Sequence, residues 1–203
     1  MNDLTFYTNP MSRGRIIRWL LEESGIDYDT VILSYDGEMT APEYLAINPM
    51  GKVPAIRHAG KVVTECAAIC AYIADAFPEA RLAPPADDRA DYYRWLFFAA
   101  GPLEQAVVNR SLGFEVTSEQ GRMAGYGSYD RAVDVLEAMI AGRDYVTGEH
   151  FTAADVYVGS QVNWGLDFGT LPARDAFKVY SDRLKAREAY QRAVQIDDSL
   201  MAP

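Results

Sequence analysis

The chain of 203 residues has little cysteine or histidine, two of each. Cys66 and Cys70 stand four apart on one face of a predicted helix. That is not a Cys-x-x-Cys redox spacing, and two such residues give no disulfide framework. Free cysteines so placed behave as small apolar side chains. His58 and His150 fall in no metal-ligand spacing, so no zinc or other metal site is expected. Basic residues are also scarce, with 19 Lys and Arg against 29 Asp and Glu and a net charge of −10. Nucleic acids and anionic membrane surfaces are gripped by clustered Lys and Arg, so neither is an expected partner. No apolar run is long enough to span a bilayer. The start, Met-Asn-Asp-Leu-Thr-Phe, has neither the basic opening nor the apolar core of a secretion signal. A cytoplasmic protein is expected. Internal repeats and low-complexity runs are missing as well.

What is present divides into two parts. Residues 4–7 read as a first strand, followed by a loop with Asn9-Pro10 as turn chemistry. From Ser12 onward Ile16, Ile17, Leu20 and Leu21 recur at helical spacing, and Gly25 is a natural stop. Residues 28–33 are a second strand, which closes a βαβ unit. Residues 42–47 allow a short helix. A hairpin turning at Ala59-Gly60 and a helix over 65–77, ended by Pro78, complete the order βαβ-α-ββα. That order predicts a thioredoxin-like N-terminal domain over 1–79. Residues 80–88, with Pro84-Pro85 and Asp87-Asp88, read as a linker. Residues 89–203 read as an all-α C-terminal domain. Its long helix over 89–112 is rich in aromatics and kinked at Gly101-Pro102. Further helices are expected over 118–141, 153–166, from Pro172, and over 188–196. Thr152 and Asp155 form a capping box, with Phe151 positioned to staple onto Val156.

The stretch 48–70 carries the chemistry. Asn-Pro-Met-Gly-Lys-Val-Pro-Ala-Ile places Pro54 where a strand should begin, although proline has no N–H for a ladder. A Val53–Pro54 cis bond in a tight turn fits this position. It leaves the Val53 N–H and C=O to face a ligand. Thr64-Glu65-Cys66 then opens a helix, and helix N-termini attract carboxylates. Backbone pairing beside an anion pocket suits a peptide-like ligand with a free carboxylate.

This segment resembles the glutathione-binding half of the cytosolic glutathione transferases, and the likeness extends over nearly the whole chain. Their pattern has a cis-proline after Gly-Lys-Val, then an acidic residue and a serine at the next helix start. Here Cys66 stands in the serine's place, which exchanges a strong O–H donor for a weak S–H. The resemblance implies glutathione as co-substrate, and a two-fold homodimer. Val53 would pair with the cysteinyl backbone beside Pro54, and Lys52 would meet the glycyl carboxylate. Glu65 would take the γ-glutamyl ammonium, and the Cys66 N–H the adjacent carboxylate.

A free thiol has a pKa of about 8.5, so it needs a donor to become a thiolate near neutrality. In serine-type members a serine in the loop after the first strand does this, and Ser12 matches that position. It also suits a helix cap. Tyr7 is the second choice and Asn9 the third, with Thr8 in the same group. Met11, Phe98, Gly101, Glu104 and Trp164 are candidates for binding a hydrophobic electrophile between the domains. The implied activity is thiolate attack of the detoxification type. Two other readings stay open. One is a glutathione-dependent peroxidase, disulfide reductase or isomerase on the same scaffold. The other is a non-catalytic interaction module.

Overall fold

A computed structural model of the chain describes residues 3–201. Contacts divide the chain into two compact units, with breaks after Leu82 and at Ala186. The second break was not legible in the sequence. Residues expected to end the helical domain belong instead with the first unit.

The first unit holds a four-stranded sheet in the order β2-β1-β3-β4. Strand β1 (Leu4–Thr8) runs parallel to β2 (Asp29–Ile32), with Thr8 opposite Ile32. Helix α1 (Gly14–Ser24) makes the crossover and stops at Gly25, which is left-handed at φ 66°. Strand β3 (Ala55–His58) pairs antiparallel with both β1 and β4 (Lys61–Thr64). The two-residue hairpin loop has positive φ at both Ala59 and Gly60, the type I′ pattern that matches strand twist. Helix α2 (Pro42–Leu45) and helix α3 (Cys66–Ala76) complete the thioredoxin-like order. Phe6, Ile16, Ile17, Leu20, Leu21, Ile56, Ile69 and Ile73 are all fully buried in the core of this unit.

Helix α9 (Glu188–Ser199) lies against α1 and is held by four ion pairs. Arg15 meets Asp198, Arg18 meets Asp197, Arg192 meets Glu22 and Arg187 meets Glu23. The pairing is antiparallel and sorted by charge. Cations sit early in α1 and anions late in both helices, against each helix's own dipole. The charges are therefore placed for one another. Ala189 and Ala193 are buried in α9, and Trp19 sits edge-on to Tyr190 at 5.0 Å. The innermost pair is dry, and Arg18 also donates to the Tyr28 and Thr30 hydroxyls at 3.0 Å each.

The second unit is helical. The expected helix over 89–112 is realised in three pieces: α4 (Ala90–Phe98), a π-helical turn (Ala99–Leu103) and α5 (Glu104–Ser111). Pro102 lies inside the π turn. Proline cannot donate to an α ladder and crowds the preceding turn, and the ladder widens to a π turn there. The helix expected over 118–141 is much shorter. Helix α6 (Tyr129–Ile140) starts at Ser128, whose hydroxyl accepts the Arg131 N–H. Gly127, just before it, has φ 69° and breaks the register.

Helix α7 (Ala153–Asp167) is buried on almost every side, as a central helix must be. Its capping box is formed by Thr152 and Asp155. The Phe151 ring sits edge-on to Tyr145 at 5.6 Å. Helix α8 (Asp175–Lys185) packs on α7 and α6.

Candidate functional site

The topology of the first unit brings three loops to one end of its sheet. Tyr7 is opposite Ala55, and Ala55 is opposite Thr64. The loop 9–13 leaving β1, the turn 52–54 entering β3 and the junction 65–66 leaving β4 are therefore neighbours. A direct contact confirms this placement, since the Cys66 thiol points at the Arg13 carbonyl, 3.8 Å away.

The turn at 52–54 is built from its backbone. The Val53–Pro54 peptide is cis. The Lys52 carbonyl accepts the Tyr44 hydroxyl at 2.5 Å and the Asn48 amide at 2.8 Å. Burial pushes the Tyr44 phenol up to about 12, so it stays a neutral donor. Neither the N–H nor the C=O of Val53 makes a hydrogen bond among the described residues. The Lys52 ammonium is exposed and has no acidic partner among them.

Glu65, the residue before α3, has φ 64° and ψ 120°. A non-glycine residue held there costs on the order of 1–3 kcal/mol. Among the described residues no side chain caps α3, and no acidic side chain lies in its first turn. The first N–H groups of a helix have no intrahelical acceptor, so this end carries positive potential. Glu65 is a candidate from the sequence, but its strained backbone is unexpected. Nothing local in Thr64-Glu65-Cys66 signals it.

The loop 9–13 is tied at nearly every polar atom. The Asn9 amide donates to the Leu33 carbonyl at 2.8 Å and its oxygen accepts the Met11 N–H at 2.9 Å. The Ser12 hydroxyl donates to the Asn9 carbonyl at 2.7 Å and accepts the Gly14 N–H at 2.9 Å. Ser12 thus caps the entry to α1 from the position before the N-cap, Arg13. Glycine suits position 14, because a Cβ there would lie 1.9 Å from Thr8 Oγ1 and force the Thr8 side chain to shift. The Tyr35 hydroxyl donates to the Met11 carbonyl at 3.2 Å, and Arg15 Nε donates to the Pro10 carbonyl at 2.6 Å. These struts reach across sequence and were not foreseen.

Tyr7 differs from the other candidates. Its ring packs in a cluster with Leu33, Met39, Tyr44 and Ala55, against which Val53 also rests. Its hydroxyl makes no hydrogen bond among the described residues. Of the candidate donors Ser12, Tyr7, Asn9 and Thr8, only Tyr7 has a side chain with no hydrogen bond among the described residues.

The remaining candidates divide between the units. Met11 is 70% exposed in loop 9–13 of the first unit. Phe98 and Gly101 belong to the α4 end and the π turn of the second unit, with Phe98 edge-on to Trp95 at 5.6 Å. Glu104 opens α5 and accepts the Tyr157 hydroxyl at 2.9 Å. Trp164 is half-buried on α7. Among the described residues no helix is long and apolar enough to cross a membrane. No group of three or more His, Cys, Asp or Glu among them is placed to hold a metal ion.

Residues 2–75 match the family model of the glutathione S-transferase N-terminal domain. Glutathione S-transferase 1 of Schizosaccharomyces pombe is 30% identical over 171 residues, which cover 78% of this chain and 72% of that protein. Glutathione S-transferase GST-4.5 of Xanthomonas campestris pv. campestris is 28% identical over 96% of this chain and 98% of its own. A sphingomonad glutathione S-transferase, solved in complex with glutathione, superposes with a TM-score of 0.78 at 26% identity. That match covers 98% of this chain and all of the other.

Proposed function

The chain belongs to the glutathione transferase family, and we propose that it binds glutathione at the sheet end described above and holds its sulfur as a thiolate for attack on a hydrophobic electrophile. The observation that carries this reading is the unpaired Val53 backbone at the cis-proline turn, beside the uncapped start of α3. An extended peptide pairs with the first, and a carboxylate suits the second. Lys52 meets the glycyl carboxylate, Glu65 the γ-glutamyl ammonium and the Cys66 N–H its carboxylate.

Ser12 is the proposed thiolate donor. In the free protein its proton goes to the Asn9 carbonyl. Turning that proton to the sulfur leaves the Gly14 N–H donating to the same oxygen, which keeps the hydroxyl in place. A charge-assisted bond of this kind contributes roughly 1.5–3 kcal/mol. That lowers a thiol pKa by about one to two units. The uncommitted Tyr7 hydroxyl favours a second reading, in which Tyr7 is the donor and Ser12 only the cap.

A pH titration of the thiolate absorbance of bound glutathione tests both. The thiol pKa is expected to fall on binding and to return toward about 8.5 in Ser12→Ala. A lowered pKa that survives Ser12→Ala and is lost in Tyr7→Phe moves the role to Tyr7. Failure of glutathione to bind at all overturns the reading.

A further inference from the structure

The loop that carries Ser12 is held from an unexpected direction. Arg15, in the first turn of α1, uses two faces of its guanidinium. Its Nε donates to the Pro10 carbonyl at 2.6 Å, inside the loop. Its Nη2 donates to Asp198 at 2.5 Å, in the last turn of α9, and lies 3.7 Å from the Met201 sulfur. The planar fork of an arginine suits this task, since one rigid group fixes both bonds at once. Asp198 cannot be explained as a helix stabiliser, because a carboxylate at a helix C-terminus opposes the dipole. Nor does its pair supply the main hold on α9, because the adjacent Arg18–Asp197 pair is the buried one.

We propose that Asp198 is a positioning residue: through Arg15 it fixes the Pro10 carbonyl, and with it the loop 9–13 from which Ser12 projects. The chain Asp198–Arg15–Pro10 then makes the last turn of α9 a part of the sulfur site without touching the ligand. This rests on the glutathione reading only for its effect on the thiolate. The effect on the loop stands apart from it.

The control is Arg192, which makes the same kind of exposed pair with Glu22 at the far end of α1 and contacts nothing in the loop. Asp198→Ala and Arg192→Ala each remove one exposed ion pair of the same seam. In the ligand-free protein, amide hydrogen exchange at Met11 and Ser12 is expected to quicken by about tenfold in Asp198→Ala, as a local opening released by about one charge-assisted bond. It stays at the wild-type rate in Arg192→Ala. With glutathione bound, the thiol pKa in Asp198→Ala is expected to rise by about half to one unit, a roughly threefold to tenfold fall in the acid dissociation constant of the thiol. Glutathione affinity changes little, and thermal midpoints of the two variants match.

Equal exchange in both variants, fast or slow, overturns the proposal whatever glutathione does. Quickened exchange with an unmoved thiol pKa also overturns it, because the loop would then not set the donor. If exchange quickens but the wild type itself lowers no thiol pKa, the brace stands and the glutathione reading falls.

Discussion

Among the described residues each unit buries one aspartate, and the two are accommodated in opposite ways. Asp197 in α9 faces a cation, with Arg18 at 3.2 Å and both side chains dry. Asp155 in α7 is wholly buried and faces only neutral donors. It accepts the Val146 N–H at 2.7 Å, the Thr152 N–H at 2.9 Å, the Thr152 hydroxyl at 3.0 Å and the Tyr180 hydroxyl at 2.9 Å. Four hydrogen bonds are many, but they bring no positive charge. Burial accordingly wins and pushes Asp155 up to about 6. At Asp197 burial also raises the pKa, but the Arg18 charge opposes it. Hydrogen bonds satisfy the lone pairs of a buried carboxylate, but neutralising its charge takes a cation or a proton.

The largest effect is expected from Asp155→Ala, which strands four donors in a dry interior. A loss of about 4–5 kcal/mol in urea unfolding follows, at the upper end for single substitutions. Asp197→Ala should cost about 3–4 kcal/mol, because it leaves the Arg18 charge buried without its counterion. Arg18 Nη2 already lacks a hydrogen-bond partner among the described residues, and the Tyr28 and Thr30 hydroxyls that Nη1 reaches bring no negative charge. An Asp197 loss larger than the Asp155 loss would break the comparison, since it would mean the cation matters more than the number of donors.

The smallest effect sharpens the comparison and is read by pH. Folding raises Asp155 from its ordinary value of ~3.9 to about 6, so the folded chain holds that proton more tightly. The resulting stability is complete below pH ~4 and is lost as pH rises through about 6, amounting to about 3 kcal/mol. Asp155→Asn should flatten this part of the pH–stability curve. A wild-type curve already flat between pH 4 and 7, after allowance for other carboxylates, would place Asp155 among the ordinary acids.

The same contrast separates what the sequence made legible from what it did not. The capping box at Thr152 and Asp155 was readable because its partners are three residues apart. The βαβ crossover, the Ala59-Gly60 hairpin and the convergence of loops at one sheet end follow from local patterning and topology. The helix expected over 118–141, with a bend near Gly125 and Gly127, starts only after those glycines, at Ser128. The seam of α1 and α9 was missed too. Its bonds span as many as 183 residues. Yet a signal existed: Arg15 and Arg18 early in α1, and Asp197 and Asp198 late in α9, all oppose their helix dipoles. Charges so placed point to partners elsewhere. At the candidate site, Tyr44 and Asn48 gave no hint of holding the Lys52 carbonyl, because side-chain-to-backbone bonds leave no periodic mark.

The seam also sets an order of events during synthesis. Arg18 leaves the ribosome 179 residues before Asp197. Strands β1 and β2 and helix α1 therefore emerge long before the helix that covers their charged flank. Contacts this distant in sequence form slowly, because a long loop must close before they yield anything. The Arg18 guanidinium, which lies over the rings of Phe6 and Tyr28 in the folded chain, has no Asp197 to pair with until α9 is made. The nascent N-terminal unit is thus a half-finished surface that the entire helical unit must be translated past before α9 returns to close it.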